Sequence, residues 1–153
     1  MSVVFHNFVF SKKIDTAPSE DEVFEYANNY VQALSEDSYN CENLEIVKTY
    51  QVDKKSNQSS FLNLDSDTNL VGIYFNKVEN IKFEENVGKV CFAYGNKIED
   101  KLLYQGPKNI VPEETYFVLF PRWIDIVFYP LDQYQELVID VFEIKTDITS
   151  KRN

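Results

Sequence analysis

Histidine is almost absent from this chain: 153 residues contain one, His6. There are also only two cysteines and four glycines, and each scarcity removes a class of chemistry. A structural zinc site draws about four Cys and His ligands at close spacing, whereas His6, Cys41 and Cys91 are too few and too scattered. Phosphate-cradling loops need clustered glycines so that backbone amides can approach the anion. Gly72, Gly88, Gly95 and Gly106 are dispersed, and the nearest approach, 88–97, has no Ser or Thr after its lysine. Cys91 and His6 form a nucleophile pair only if the fold brings them together, and Cys91 stands in an apolar run that suits a buried, inert thiol. No uncharged apolar run approaches the roughly 20 residues of a membrane-spanning helix. The cysteines make no CxxC pair and no cationic, apolar leader precedes them, so a reduced, cytoplasmic setting is expected. No catalytic residue, cofactor or metal is assigned.

Basic residues are also outnumbered. Twenty-five acidic against fifteen basic side chains leave a net charge of −10. That charge repels nucleic-acid phosphate and anionic membrane and attracts a cationic partner. Asp65-Ser66-Asp67-Thr68-Asn69 begins as an EF-hand loop does, but the sixth position is Leu70 where glycine is needed and the twelfth is Asn76 where glutamate is needed. A polar turn is expected there. The pairs Glu84-Glu85, Glu99-Asp100 and Glu113-Glu114 fall at expected turns, where charge is simply solvated.

What the chain has in quantity is aromatic and β-branched residues, concentrated in 115–148 around its single Trp. Runs 116–120 and 123–129, parted by Pro121-Arg122, read as strands. Beyond Pro130, Tyr134, Leu137, Val138, Val141, Phe142 and Lys145 fall at helical spacing, which points to a C-terminal helix over about 132–146. The competing reading is a further strand, because Val138, Ile139, Val141 and Ile144 are β-branched. Earlier, 3–10 (VVFHNFVF) reads as an interior strand. Ser19-Glu20-Asp21-Glu22 has the form of a capping box, opening a helix over about 19–35 whose inward stripe is Val23, Ala27, Tyr30, Val31 and Leu34. Residues 44–52 alternate as a half-buried strand, and 53–60 (DKKSNQSS) form a polar loop. Strands at 70–75, 78–83, 87–94 and 98–104, joined by short polar links, are expected to pair as an antiparallel meander.

The expected fold is α+β: a curved or two-layer antiparallel sheet of about six to eight strands, with a helix near each end of the sequence. Residues 1–148 are expected to form a single domain, with 149–153 as a frayed tail. In WIDIVFY, Ile124, Ile126 and Phe128 are free to face the core, which leaves Arg122, Trp123, Asp125 and Tyr129 as a contact patch. A helix covering that face is the competing placement. Acidity without catalytic motifs favours a stoichiometric inhibitor of a basic protein. Such a protein would be a toxin immunity protein neutralising a nuclease, or a phage-encoded inhibitor of a nucleic-acid-binding defence factor. It would touch no nucleic acid or membrane itself. Asp65, Asp67, Glu84, Glu85, Glu99, Asp100, Arg122, Trp123, Asp125 and Tyr129 are the expected partner contacts. The alternatives are a small-ligand-binding or hydrolytic domain with an aromatic-lined pocket, and a structural subunit joined through sheet edges.

Overall fold

The computed structural model describes residues 3–4, 9–54, 60–81, 90–94, 108–110 and 112–150. In chain order the elements are β1 (Val3–Val4), β2 (Phe10–Lys13), α1 (Glu20–Leu34), β3 (Tyr39–Lys54), β4 (Ser60–Phe61), β5 (Leu70–Glu79), β6 (Val90–Tyr94), β7 (Lys108–Ile110), β8 (Tyr116–Pro121), β9 (Ile124–Phe128) and β10 (Glu136–Ser150). Among the described residues the fold is therefore mostly antiparallel sheet with one helix.

Two sheets form, one in the order β1-β2-β8-β5-β10-β3 and one in the order β4-β9-β6-β7. The pairs β3·β10, β4·β9, β5·β8 and β6·β7 are nested, as in one long hairpin folded at β6 and β7. Rolling that hairpin over adds the pairs β5·β10 and β6·β9. Consecutive strands from β3 to β10 thus change sheet at every step except β6 to β7, which is the winding of a jelly roll. The expected meander is corrected here, since neighbours in sequence mostly face each other across the barrel. So is the break at Asn76-Lys77, through which β5 runs unbroken. The expected strand at 98–104 lies outside the described residues.

Two apolar layers hold the larger sheet. Its inner face sets Val71, Ile73, Phe75, Val118, Phe120, Ile139 and Val141 against Ile124, Ile126 and Phe128 of the smaller sheet. Its outer face sets Leu70, Phe117, Leu119, Phe142 and Ile144 under Val23, Ala27, Tyr30 and Val31 of α1. Because β10 is central and buried on both faces, apolar residues occupy both parities and blur the two-residue period. The C-terminal helix expected over 132–146 is for that reason wrong. The run is strand, paired with β5 and β3 and continuous to Ser150.

The helix at 19–35 does form. The Ser19 hydroxyl accepts from the Glu22 amide at 3.3 Å, and the Glu22 carboxylate accepts from the Ser19 amide at 3.1 Å. Ser19→Ala should cost about 1 kcal/mol, seen as a lower urea midpoint at an unchanged m-value.

Candidate functional site

At one end of the larger sheet five elements start or stop together. There α1 ends, β3 and β5 begin, and β8 and β10 finish. Their ends enclose a groove of about 410 Å³ lined by Tyr30, Val31, Leu34, Ser35, Tyr39, Asn69, Leu70, Pro121, Trp123 and Ile148. Leu34, Tyr39, Trp123 and Ile148 remain 39%, 43%, 55% and 47% exposed, and among the described residues the only other exposed large hydrophobic is Tyr134. Apolar side chains scattered singly over a surface need no explanation, whereas a convergent set marks a contact site. Leu34 belongs to the helical stripe expected to point inward, but it stands 39% exposed at the last turn of α1.

A polar latch fixes the floor of the groove. The Asn69 amide donates to Ile144 O at 2.9 Å, its Nδ2 donates to Thr146 O at 2.7 Å, and its Oδ1 accepts from the Thr146 amide at 3.0 Å. The preceding turn rests on Glu143, a fully buried residue of β10. Glu143 Oε1 accepts from the Asp65 amide at 2.7 Å and from Thr68 Oγ1 at 2.8 Å. Arg122 closes the other side, with Nη1 donating to the carbonyls of Asp65 and Thr68 and its amide donating to Asn69 O at 3.0 Å. Asn69, on the floor, and Trp123, beside Arg122, are thereby held relative to one another.

No donor meets hydrogen-bond geometry at Glu143 Oε2 among the described residues. The Tyr50 hydroxyl lies against the same carboxylate. Burial pushes the Tyr50 pKa up, and its contact with the Glu143 carboxylate and the charge there add to the rise. The folded protein therefore retains a proton that the unfolded chain releases at about pH 10, so stability falls as pH climbs past that point. Tyr26 and Tyr74 shift in the same direction, chiefly through burial, while burial lowers Lys54, which acts oppositely. Tyr50→Phe should flatten the loss of urea midpoint between about pH 9 and pH 11, and equal slopes in the two proteins would count against the shift. Burial also raises the Cys41 thiol, whose Sγ donates to Ala27 O at 3.7 Å; a thiol so placed is a poor nucleophile.

Of the expected contact residues, Arg122, Trp123, Asp65 and Asp67 come together at this end of the fold. Arg122 serves the 65–68 turn. Asp65 Oδ1 accepts from the Asp67 amide at 3.0 Å and the Asn69 side chain is committed to Thr146, so 65–69 is the polar turn expected. Asp125 is exposed and Tyr129 half-buried, on the outer side of the smaller sheet with Ile124, Ile126 and Phe128 inward, as their parity implied. Among the described residues the one helix packs on the other sheet. Glu84, Glu85, Glu99, Asp100 and His6 lie outside the described residues, as does the side chain of Cys91. Tyr39, Pro121 and Ile148 had no sequence signal as groove residues. Trp123 did, through its parity with Asp125.

No family model and no curated protein matches the chain. Among solved structures it is similar to an oxidoreductase of the 2OG-Fe(II) oxygenase family from Burkholderia pseudomallei, with a TM-score of 0.51 at 7% identity over 95% of this chain and 70% of that one. It is also similar to a prolyl-4-hydroxylase from Pseudomonas putida, with a TM-score of 0.48 at 9% identity over 90% of this chain and 72% of that one. The first likeness is one of fold: the chain shares its rolled two-sheet architecture with that oxygenase-family protein. The expected inhibitor, whether a toxin immunity protein or a phage-encoded one, is overturned by it, because the shared scaffold belongs to an oxidoreductase. The premise of a one-sided polyanion weakens too, since many carboxylates are engaged locally. Glu114 accepts from the Val78 amide, Asp140 from Gln51 and Asn76, and Asp147 from Asn43, while Glu79 and Glu136 pair with Lys77.

Non-haem iron of the oxygenase kind is held by two histidines and one carboxylate. These 153 residues contain one histidine, and no group of three His, Cys, Asp or Glu able to hold a metal occurs among the described residues. The barrel interior is filled with aliphatic and aromatic side chains. Among the described residues its buried charged groups are Lys54 and Glu143, which lie six β10 positions apart, opposite Leu137 and at Glu143 itself, or about 20 Å along the strand. They cannot meet on one ligand. The residues present do not fit an iron centre, and no step through iron follows. Among the described residues no helix is long and apolar enough to cross a membrane.

Proposed function

We propose that this chain is a recognition domain on a jelly-roll scaffold, which uses the groove at the end of α1 to hold an apolar group of a partner. One observation carries the reading: Leu34, Tyr39, Trp123 and Ile148, from four separate segments, converge there while remaining 39% to 55% exposed. Burying such residues is favourable by roughly 25 cal/mol per Å², and Trp and Tyr are enriched where interfaces concentrate their energy. The latch through Asn69, Arg122 and Glu143 supports the reading by holding the walls in place before a partner arrives, which lowers the cost of ordering on binding.

The single Trp makes the groove self-reporting. Titration with the neutral dye N-phenyl-1-naphthylamine should give saturable energy transfer from Trp123. Leu34→Glu and Ile148→Glu should each weaken binding by about tenfold or more, because a carboxylate in the groove must be desolvated. Far-UV circular dichroism should stay as in the wild type, as both positions are exposed. Dye binding that ignores both substitutions would remove the groove as the site.

A further inference from the structure

We infer, resting on the groove being the site, that its occupant is a short segment of a partner protein in which an apolar side chain is flanked by Lys or Arg. That a chain segment is taken follows from the openness of the walls. Small-molecule sites enclose roughly 70–90% of their ligand, whereas four of the ten lining residues here, Leu34, Tyr39, Trp123 and Ile148, stand 39% to 55% exposed, an open wall against which an occupant keeps its outer side in water. A peptide does this with its remaining backbone and polar groups still solvated, at the cost of ordering the few residues that dock.

The flanking positive charge follows from the rim. Ser35 lines the groove and is the C-cap of α1, whose last turn carries no basic residue to offset the negative end of the helix dipole. Glu36 and Asp37, both exposed, form the turn from Ser35 to Tyr39, another lining residue. The turn is held by Asp37 N donating to Gln32 O at 2.7 Å and Ser38 N donating to Ser35 O at 3.0 Å. Among the described residues Arg122 is the basic residue next in sequence to lining residues, and its Nη1 is turned to the carbonyls of Asp65 and Thr68. An apolar floor with a negative rim complements a hydrophobic side chain set between cations, and a net charge of −10 steers the same partner toward the protein.

Three capped hexapeptides test this, each with two central leucines and with lysine, serine or glutamate at both ends. Displacement of N-phenyl-1-naphthylamine, read through Trp123 emission, should rank them lysine, serine, glutamate. The lysine form should bind about fivefold to tenfold more tightly than the serine form at low salt, and the ratio should shrink as salt rises. The double substitution Glu36→Gln with Asp37→Asn should bring the ratio toward one. Equal displacement by all three peptides overturns the charge inference and leaves the groove reading standing. Failure of every peptide to displace a dye that does bind overturns the peptide occupant alone. Absence of dye binding overturns both.

Discussion

Glu143→Ala is expected to destabilise the protein by about 3 kcal/mol, while Glu143→Gln stays within about 1 kcal/mol of the wild type. The alanine strips the acceptor from two donors, the Asp65 amide and the Thr68 hydroxyl, which Glu143 Oε1 now serves at 2.7 and 2.8 Å. Each buried donor left unpaired costs roughly 1–3 kcal/mol, and the vacated volume adds a smaller cavity cost. Glutamine keeps a carbonyl oxygen in the place of Oε1, and the amide nitrogen it sets in the place of Oε2 displaces no donor that meets hydrogen-bond geometry there, while the oxygen of the Tyr50 hydroxyl beside the carboxylate can accept from it. It also removes a buried charge, whose desolvation offsets much of what its contacts contribute. Urea titrations of the two variants measure the difference. Because the 65–68 turn positions Asn69 and, through Arg122, Trp123, the alanine should also shift Trp123 emission in the folded baseline while the glutamine leaves it in place. An alanine variant within 1 kcal/mol of the wild type would mean that the turn does not hang on Glu143.

Gly72→Ala should cost about 2 kcal/mol, a large effect for one added methyl. Gly72 sits in β5, and a Cβ there would stand 2.8 Å from Phe117 Cζ and 3.0 Å from Cε1. The ring has nowhere to go. Phe117 is fully buried, with ring centroids 5.5 Å from Tyr26 and 6.1 Å from Phe142. Replacing a strand glycine by alanine ordinarily gains roughly 0.5–1 kcal/mol, so a net loss would isolate the steric term. Phe117→Leu opens the space that the methyl needs, at its own cost in buried area. In a double-mutant cycle the two substitutions should therefore be less damaging together than their sum, by about 1 kcal/mol or more. Additive losses would show that the ring is not the obstacle.

Local devices were legible in the sequence because their causes lie within a few residues. The Ser19 and Glu22 capping box, the 44–52 strand inside β3, the 65–69 turn, and the parity that sends Ile124, Ile126 and Phe128 inward and leaves Trp123 and Asp125 outside all appear in the structure. The C-terminal helix failed for a stated physical reason. Helical and strand periods are told apart by which positions are polar, and the part of β10 covered by α1 on one face and by the smaller sheet on the other, Leu137 to Ile144, has only Asp140 and Glu143 with which to mark its period. Its one interior charge, Glu143, fell on the side that a helical reading left to solvent.

The sequence by itself settled some local conformations and the donor inventory: β-rich chemistry, one well-capped helix at 19–35, and a single histidine that cannot make the iron site of the oxygenase-family protein whose fold the chain resembles. The tertiary structure alone decided which strands became neighbours and which side chains shared a surface. Strand pairing joins β3 to β10 across about a hundred residues, and short polar turns are equally compatible with a hairpin and with a crossing to the opposite sheet. The groove exists only because that rolling brings Leu34, Tyr39, Trp123 and Ile148 to one end of the barrel, a meeting that no spacing along the chain encodes.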